Sequence, residues 1–170
     1  MNVKHLFAAM LLLVVTAANA QTTESKKAAI KKINIEQFHK LVIDASIDVL
    51  LIEDDAPGKL YIEGDSTYFN EITVTEKKGV LTIAATKDRN YKKRIYIGLP
   101  VQQLKEVEIN AVSFVLGMNT LKSPNLIVKM NYDCIVSLKS TGPIELKTNT
   151  ETSYTQFKEL PRQYRNSFGK

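Results

Sequence analysis

Beyond residue 37 the chain alternates apolar and polar positions with a period of two, in short runs set apart by turn-forming residues. The pattern predicts strands over residues 38–43, 48–53, 60–64, 72–75, 80–84 and 95–99. Residues 48–53 are apolar on both sides, Val49 and Leu51 on one and Leu50 and Ile52 on the other, so this strand is expected inside the sheet system. Ala56-Pro57-Gly58-Lys59 predicts a turn that folds 60–64 back on 48–53 as a hairpin. Glu76-Lys77-Lys78-Gly79 predicts a second hairpin, with Gly79 taking the left-handed position. Pro100 is expected to end the strand before it. No window in this half holds a helical period, and it reads as a series of antiparallel strands.

The second half changes rhythm. Leu104, Leu126 and Ile144 each open a short alternating run, broken by Asn110, Gly117, Ser123-Pro124-Asn125, Asn131 and Ser140-Thr141-Gly142-Pro143. Strands this short, on a repeat of about twenty residues, suit the coils of a parallel β-helix better than a meander. Asn110, Asn119, Asn125 and Asn131 are expected as turn residues or as a short internal amide ladder. Near the end, Tyr154, Phe157, Leu160, Tyr164 and Phe168 recur at helical spacing, interrupted by Pro161. The expected architecture is all-β: antiparallel strands leading into a short right-handed parallel β-helix, a solenoid, with a C-terminal tail that caps its last coil or docks on a partner.

The amino terminus has a different character. Lys4 precedes an apolar run from Leu6 to Val15, and Ala18-Asn19-Ala20 offers the small-x-small pattern of a signal peptidase site. The run is too short to span a bilayer. These features predict a signal peptide over 1–20, a flexible lead-in over 21–37, one β-rich domain over 38–150 and a tail over 151–170. The chain is thus expected to be exported, to the periplasm, the outer-membrane surface or the medium. No transmembrane segment is expected after cleavage, and no cysteine stands at the cleavage site to carry a lipid.

Composition narrows the chemistry. The single cysteine, Cys134, excludes an intramolecular disulfide, and its apolar-polar setting reads as a buried small hydrophobe. The net charge of +5 is mild and dispersed. Its clusters, Lys77-Lys78 and Lys92-Lys93-Arg94, have no interleaved stacking residues, so nucleic acid is not an expected partner. After the predicted cleavage only His39 remains among the histidines, with no nucleophile motif around it. One histidine and one cysteine do not make a zinc site of the usual kind. The carboxylates of Glu53-Asp54-Asp55 and of Glu63 and Asp65 would lie spread along the expected hairpin. That arrangement favours a solvated edge over a calcium site or a glycosidase pair.

Several of these runs together resemble a known family. Phe38-x-x-Leu41-x-Ile43, Leu60-x-Ile62-x-Gly64-Asp65, Gly79-x-Leu81-x-Ile83 and Ile95-x-Ile97-x-Leu99-Pro100 followed by Leu104-x-x-Val107-x-Ile109 are similar to the head GIN domains. These are described as putative auto-transporter adhesins, a domain of unknown function common in exported Bacteroidetes proteins. The chain has Ala111-Val112-Ser113 and Asn131-Tyr132-Asp133 where the family usually carries Gly-Ser-Gly turns. The resemblance implies a non-enzymatic binding or adhesion module of the cell envelope, and it supplies no catalytic residues.

On this reading a rigid solenoid face bearing Lys122, Tyr132 and Lys139 meets a glycan or an envelope protein. Tyr154, Phe157, Tyr164 and Phe168 form the docking side of the tail if it does not serve as a cap. No catalytic, metal-binding or cofactor residue is assigned. Two alternatives stay open: a periplasmic carbohydrate-active enzyme on a β-helix, and a purely structural or assembly protein. Exposed edge strands leave self-association open as well.

Overall fold

The computed structural model describes residues 28–55, 58–86, 94–149 and 154–156. Two mixed sheets enclose one hydrophobic core. Sheet A runs in the order β1 (Ala29–Asn34), β4 (Lys59–Gly64), β7 (Tyr96–Val101), β3 (Asp48–Glu53), β9 (Ser113–Leu121), β11 (Cys134–Ser140), β13 (Tyr154–Gln156). Sheet B runs β12 (Ile144–Thr148), β10 (Leu126–Met130), β8 (Glu106–Ile109), β2 (Lys40–Asp44), β6 (Val80–Ala85), β5 (Ile72–Lys77).

Pairs of consecutive strands, one in each sheet, form layers. β6/β7, β2/β3, β8/β9, β10/β11 and β12/β13 lie side by side, and every contact between neighbouring layers is parallel. The earliest pair, β2/β3, is inserted between β6/β7 and β8/β9, so the stack does not follow chain order. Alternation decides what faces inward. In sheet B, Leu81, Leu41, Val107, Val128 and Leu146 share one register row. In sheet A, Ile97, Val49, Val115 and Val136 share another. All of these except Leu146 are buried in the core. At the first end of the stack the neighbours are antiparallel: β5 on β6, and β4 then β1 on β7.

The β5–β6 hairpin forms where the sequence predicts it. Lys78 and Gly79 make a two-residue turn with φ of 54° and 74°. Gly79 is needed twice over, because a Cβ there would stand 2.6 Å from Nδ1 of His39. The other expected hairpin does not form. β7 separates β3 from β4, parallel to the first and antiparallel to the second. With apolar groups on both sides, β3 takes a central place between β7 and β9, whereas β4, with Lys59, Tyr61 and Glu63 outward, suits a place nearer the rim. The predicted Ala56-Pro57 portion of the turn lies outside the described residues.

Two further differences have simple causes. β7 continues through Pro100 to Val101; β4 covers it only from Tyr96 to Gly98, so Pro100 lies where the missing donor costs least. The segment expected as a lead-in supplies β1, whose Ala29 and Ile33 pack against the core. In the second half, Leu126 pairs in parallel with Ile144 and Val128 with Val107, at the expected spacing. There the turns stack directly: Gly142 N–H, Ser140 Oγ and Thr141 Oγ1 all donate to the Ser123 carbonyl, at 2.9, 2.9 and 3.3 Å. A Cβ on Gly142 would come within 2.1 Å of the Pro124 carbonyl oxygen, which explains the glycine.

Candidate functional site: two outer faces

The residues that point away from the core divide into two unlike surfaces. On sheet B, Lys40 of β2 lies opposite Glu106 of β8, and Val42 opposite Glu108. The Lys40 ammonium reaches Glu108 at 2.7 Å and Glu106 at 2.9 Å, and Lys129 of β10 reaches Glu106 at 2.9 Å. Hydrogen bonds from Lys129 and then Lys40 hold Glu106 below the usual carboxylate range, and the bond from Lys40 does the same for Glu108. The same contacts, with Glu108 first, raise Lys40. Beside this ladder, Asn131 donates to Asn110 and Asn110 to Asp44, each at 2.7 Å. Asn110 and Asn131, expected as turn residues or an internal amide ladder, stand in the connections after β8 and β10 and link outside the core. Each charge on this part of the face has its counter-charge, and carboxylates kept ionised in this way are poor general acids.

Sheet A is different. Register rows running Ile30, Glu63, Tyr96, Asp48, Phe114, Ile135 and Lys32, Tyr61, Gly98, Leu50, Leu116, Ser137 cross its outer side. Leu50 and Leu116 are fully buried although they point away from the main core, with half-buried Tyr96, Phe114 and Met118 packed against them. Asp48 is buried too. Both of its oxygens accept from Arg94 Nη1, at 3.0 and 2.9 Å, and the guanidinium lies 3.9 Å from the centre of the Phe114 ring. Burial, and then the Asp48 charge, push the Tyr96 phenol upward. At the β1 end, Lys32 lies 5.5 Å over the Tyr61 ring, and Ile30 is 60% exposed. A second, smaller apolar cluster thus sits on the outside of a strand system, under a cover of aromatic and Met side chains.

Of the residues singled out from sequence, Lys122 and Lys139 lie near one end of the strands and Tyr132 at the other. Lys122 follows β9 and is exposed, with its ammonium on Asp55 and its backbone N–H on Glu53 Oε2 at 2.8 Å. The Asp55 hydrogen bond raises its pKa. Lys139 is exposed near the same ends of the strands, opposite Thr120. Tyr132 is 54% exposed in the turn before β11, at the other end of that strand, roughly 20 Å from Lys139 at about 3.3 Å per residue. Tyr154 begins β13, which pairs with β11 as a strand rather than a helix, while Phe157, Tyr164 and Phe168 lie outside the described residues.

Other candidates have structural work to do. Cys134 is buried, and burial pushes its thiol up to about 11, away from reactivity. Asp65 caps the 3-10 turn Ser66–Tyr68 through Thr67 N–H at 3.1 Å. Glu53 is tied to Asn119, whose amide accepts from Glu53 N–H at 2.7 Å and donates to its carbonyl at 3.0 Å. A shallow cleft of about 270 Å³ beside His39 is lined by Gln37, Phe38, Gln102, Gln103 and Lys105, but the Phe38 ring is buried and closed to stacking. Among the described residues no group of three or more His, Cys, Asp and Glu side chains could hold a metal ion, and no helix is long and apolar enough to cross a membrane.

The sequence profile of "Putative auto-transporter adhesin, head GIN domain" matches residues 37–157. Among solved structures, a putative adhesin from Parabacteroides merdae is similar at 21% identity and a TM-score of 0.65, covering 78% of this chain and 57% of that one. A putative adhesin from Bacteroides fragilis gives 21% and 0.52, covering 72% and 62%. A putative lipid binding protein from Parabacteroides distasonis gives 14% and 0.51, covering 78% and 63%. At these identities the likeness is one of fold, and the chain spans about three fifths of each neighbour's length. No curated protein matches the chain.

Proposed function

The chain belongs to the head GIN domain family of putative auto-transporter adhesins, and on that premise we propose that it is an exported, non-enzymatic binding module of the cell envelope whose partner settles on the outer face of sheet A. The observation that carries this reading is the contrast of the two faces. Sheet B neutralises its own charges, whereas sheet A presents half-buried Tyr61, Tyr96, Phe114 and Met118 and exposed Ile30 on its outward side. Apolar surface on the outward side of a sheet marks an interaction site more often than charged surface does. In this proposal the five parallel layers are a short right-handed solenoid, and its stiffness holds the face in shape without disulfides. Isoleucine and methionine among the aromatic rings, Ile30 and Met118, favour a protein partner. The Tyr61 and Tyr96 rings, which could stack on sugars, support a glycan as the second reading.

The test is binding to the envelope fraction of the cell that makes the chain. Ile30→Asp with Tyr61→Ala should weaken binding by about tenfold or more. Thr75→Lys, at an exposed position on the outward side of β5, should leave it unchanged. Protease treatment of the fraction abolishes binding if the partner is a protein, and periodate treatment if it is a glycan. Equal effects of the two substitutions would remove sheet A as the binding face.

A further inference from the structure

β12 ends sheet B, and among the described residues it pairs only with β10. Its pattern is unusual for an unprotected edge. Ile144, Leu146 and Thr148 lie in the inward register, and Glu145 and Lys147 point outward. Leu146 continues the core row through Val128, which is fully buried, yet Leu146 itself is 38% exposed. No proline or inward charge interrupts the strand to discourage pairing.

We propose that this edge pairs antiparallel with the β12 edge of a second copy of the chain, about a two-fold axis through Leu146. That register sets Leu146 against Leu146 of the second copy, so the core row of one subunit runs into that of the other. It also sets Glu145 opposite Lys147 of the second copy and Lys147 opposite its Glu145, two opposite-charge cross-strand pairs generated by one symmetry operation. Within a single copy the two groups reach each other only along the strand, at 3.3 Å, with both side chains half exposed. A shift of the axis to Glu145 or Lys147 would bring like charges face to face, so the charge pattern selects one register. One pair of five-residue strands is a small contact, and the dimer is therefore concentration-dependent. This inference does not depend on what sheet A binds.

The experiment is sedimentation velocity over a range of concentrations on protein purified from cells expressing the full chain. The wild type should show a monomer–dimer equilibrium. Glu145→Lys and Lys147→Glu, each placing like charges opposite at both symmetry-related pairs, should each raise the dissociation constant by about tenfold. The double charge-swap variant should return it to the wild-type value. Melting temperature serves as the fold control, since both positions are exposed. A wild type that stays monomeric throughout overturns the proposal. Dimerisation that ignores the single substitutions, or that the double swap fails to restore, overturns the register.

Discussion

Sheets A and B share the same strands-in-layers construction and the same core, yet the central rows of their outer sides are built differently. On sheet B, side chains one layer apart neutralise one another, as Lys40 does with Glu106 and Glu108. On sheet A, side chains one layer apart bury one another: Leu50 and Leu116 are as inaccessible as the central core, and the buried carboxylate beside them, Asp48, is held by Arg94. The difference teaches that stacked parallel strands impose the neighbours but not the chemistry. A row of aligned positions can become a salt ladder or an apolar ridge, and the choice decides which face stays hydrated and which is ready for contact.

The largest effect should come from treating sheet A's outer side as core. Leu116→Ala is expected to cost about 2–5 kcal/mol in denaturant unfolding, as for a buried leucine elsewhere. A loss under about 0.5 kcal/mol would mean that the residue behaves as surface. Next is Asp48→Asn, which removes the charge of a buried carboxylate that accepts from Arg94. With Asp48 buried but Arg94 half exposed, the cost should be roughly 1–3 kcal/mol, read from the same unfolding curves.

The smallest effect lies on sheet B. Glu106 and Glu108 are held below the usual value of 4.5 in the folded state, so the unfolded chain takes up protons first as pH falls. Their contribution is complete above that value and is lost as pH drops through their lower folded values. Glu106→Gln should flatten this acid limb by about 1 kcal/mol or less, given solvent screening. An acid limb identical to wild type would show the ladder to be stabilising nothing.

Much of the secondary structure is legible in the sequence, because period-two alternation states directly which side of a strand meets the core. The central place of β3 follows from Val49, Leu50, Leu51 and Ile52, and the parallel pairing of Leu126 with Ile144 from a spacing near twenty. What misleads is the turn at 56–59. A turn says that the chain reverses, not which strand it lies against, and β7, far along the chain, takes the place beside β3. The same distance hides the proposed contact surface. Lys122 is an evident exposed lysine, but its partner Asp55 lies 67 residues earlier. Tyr96, Phe114 and Leu50 come together only once β7, β3 and β9 are adjacent. The apolar residues on the second side of β3 are the one local signal that could have found this cluster.

The most direct test of the central claim, that sheet A and not sheet B is the contact face, is photo-crosslinking in the producing cell. A photoreactive residue replaces Tyr61 in one variant and Thr75 in another. The account predicts a discrete adduct from position 61 and none from position 75. Adducts from position 75 alone, or equally from both, would contradict it.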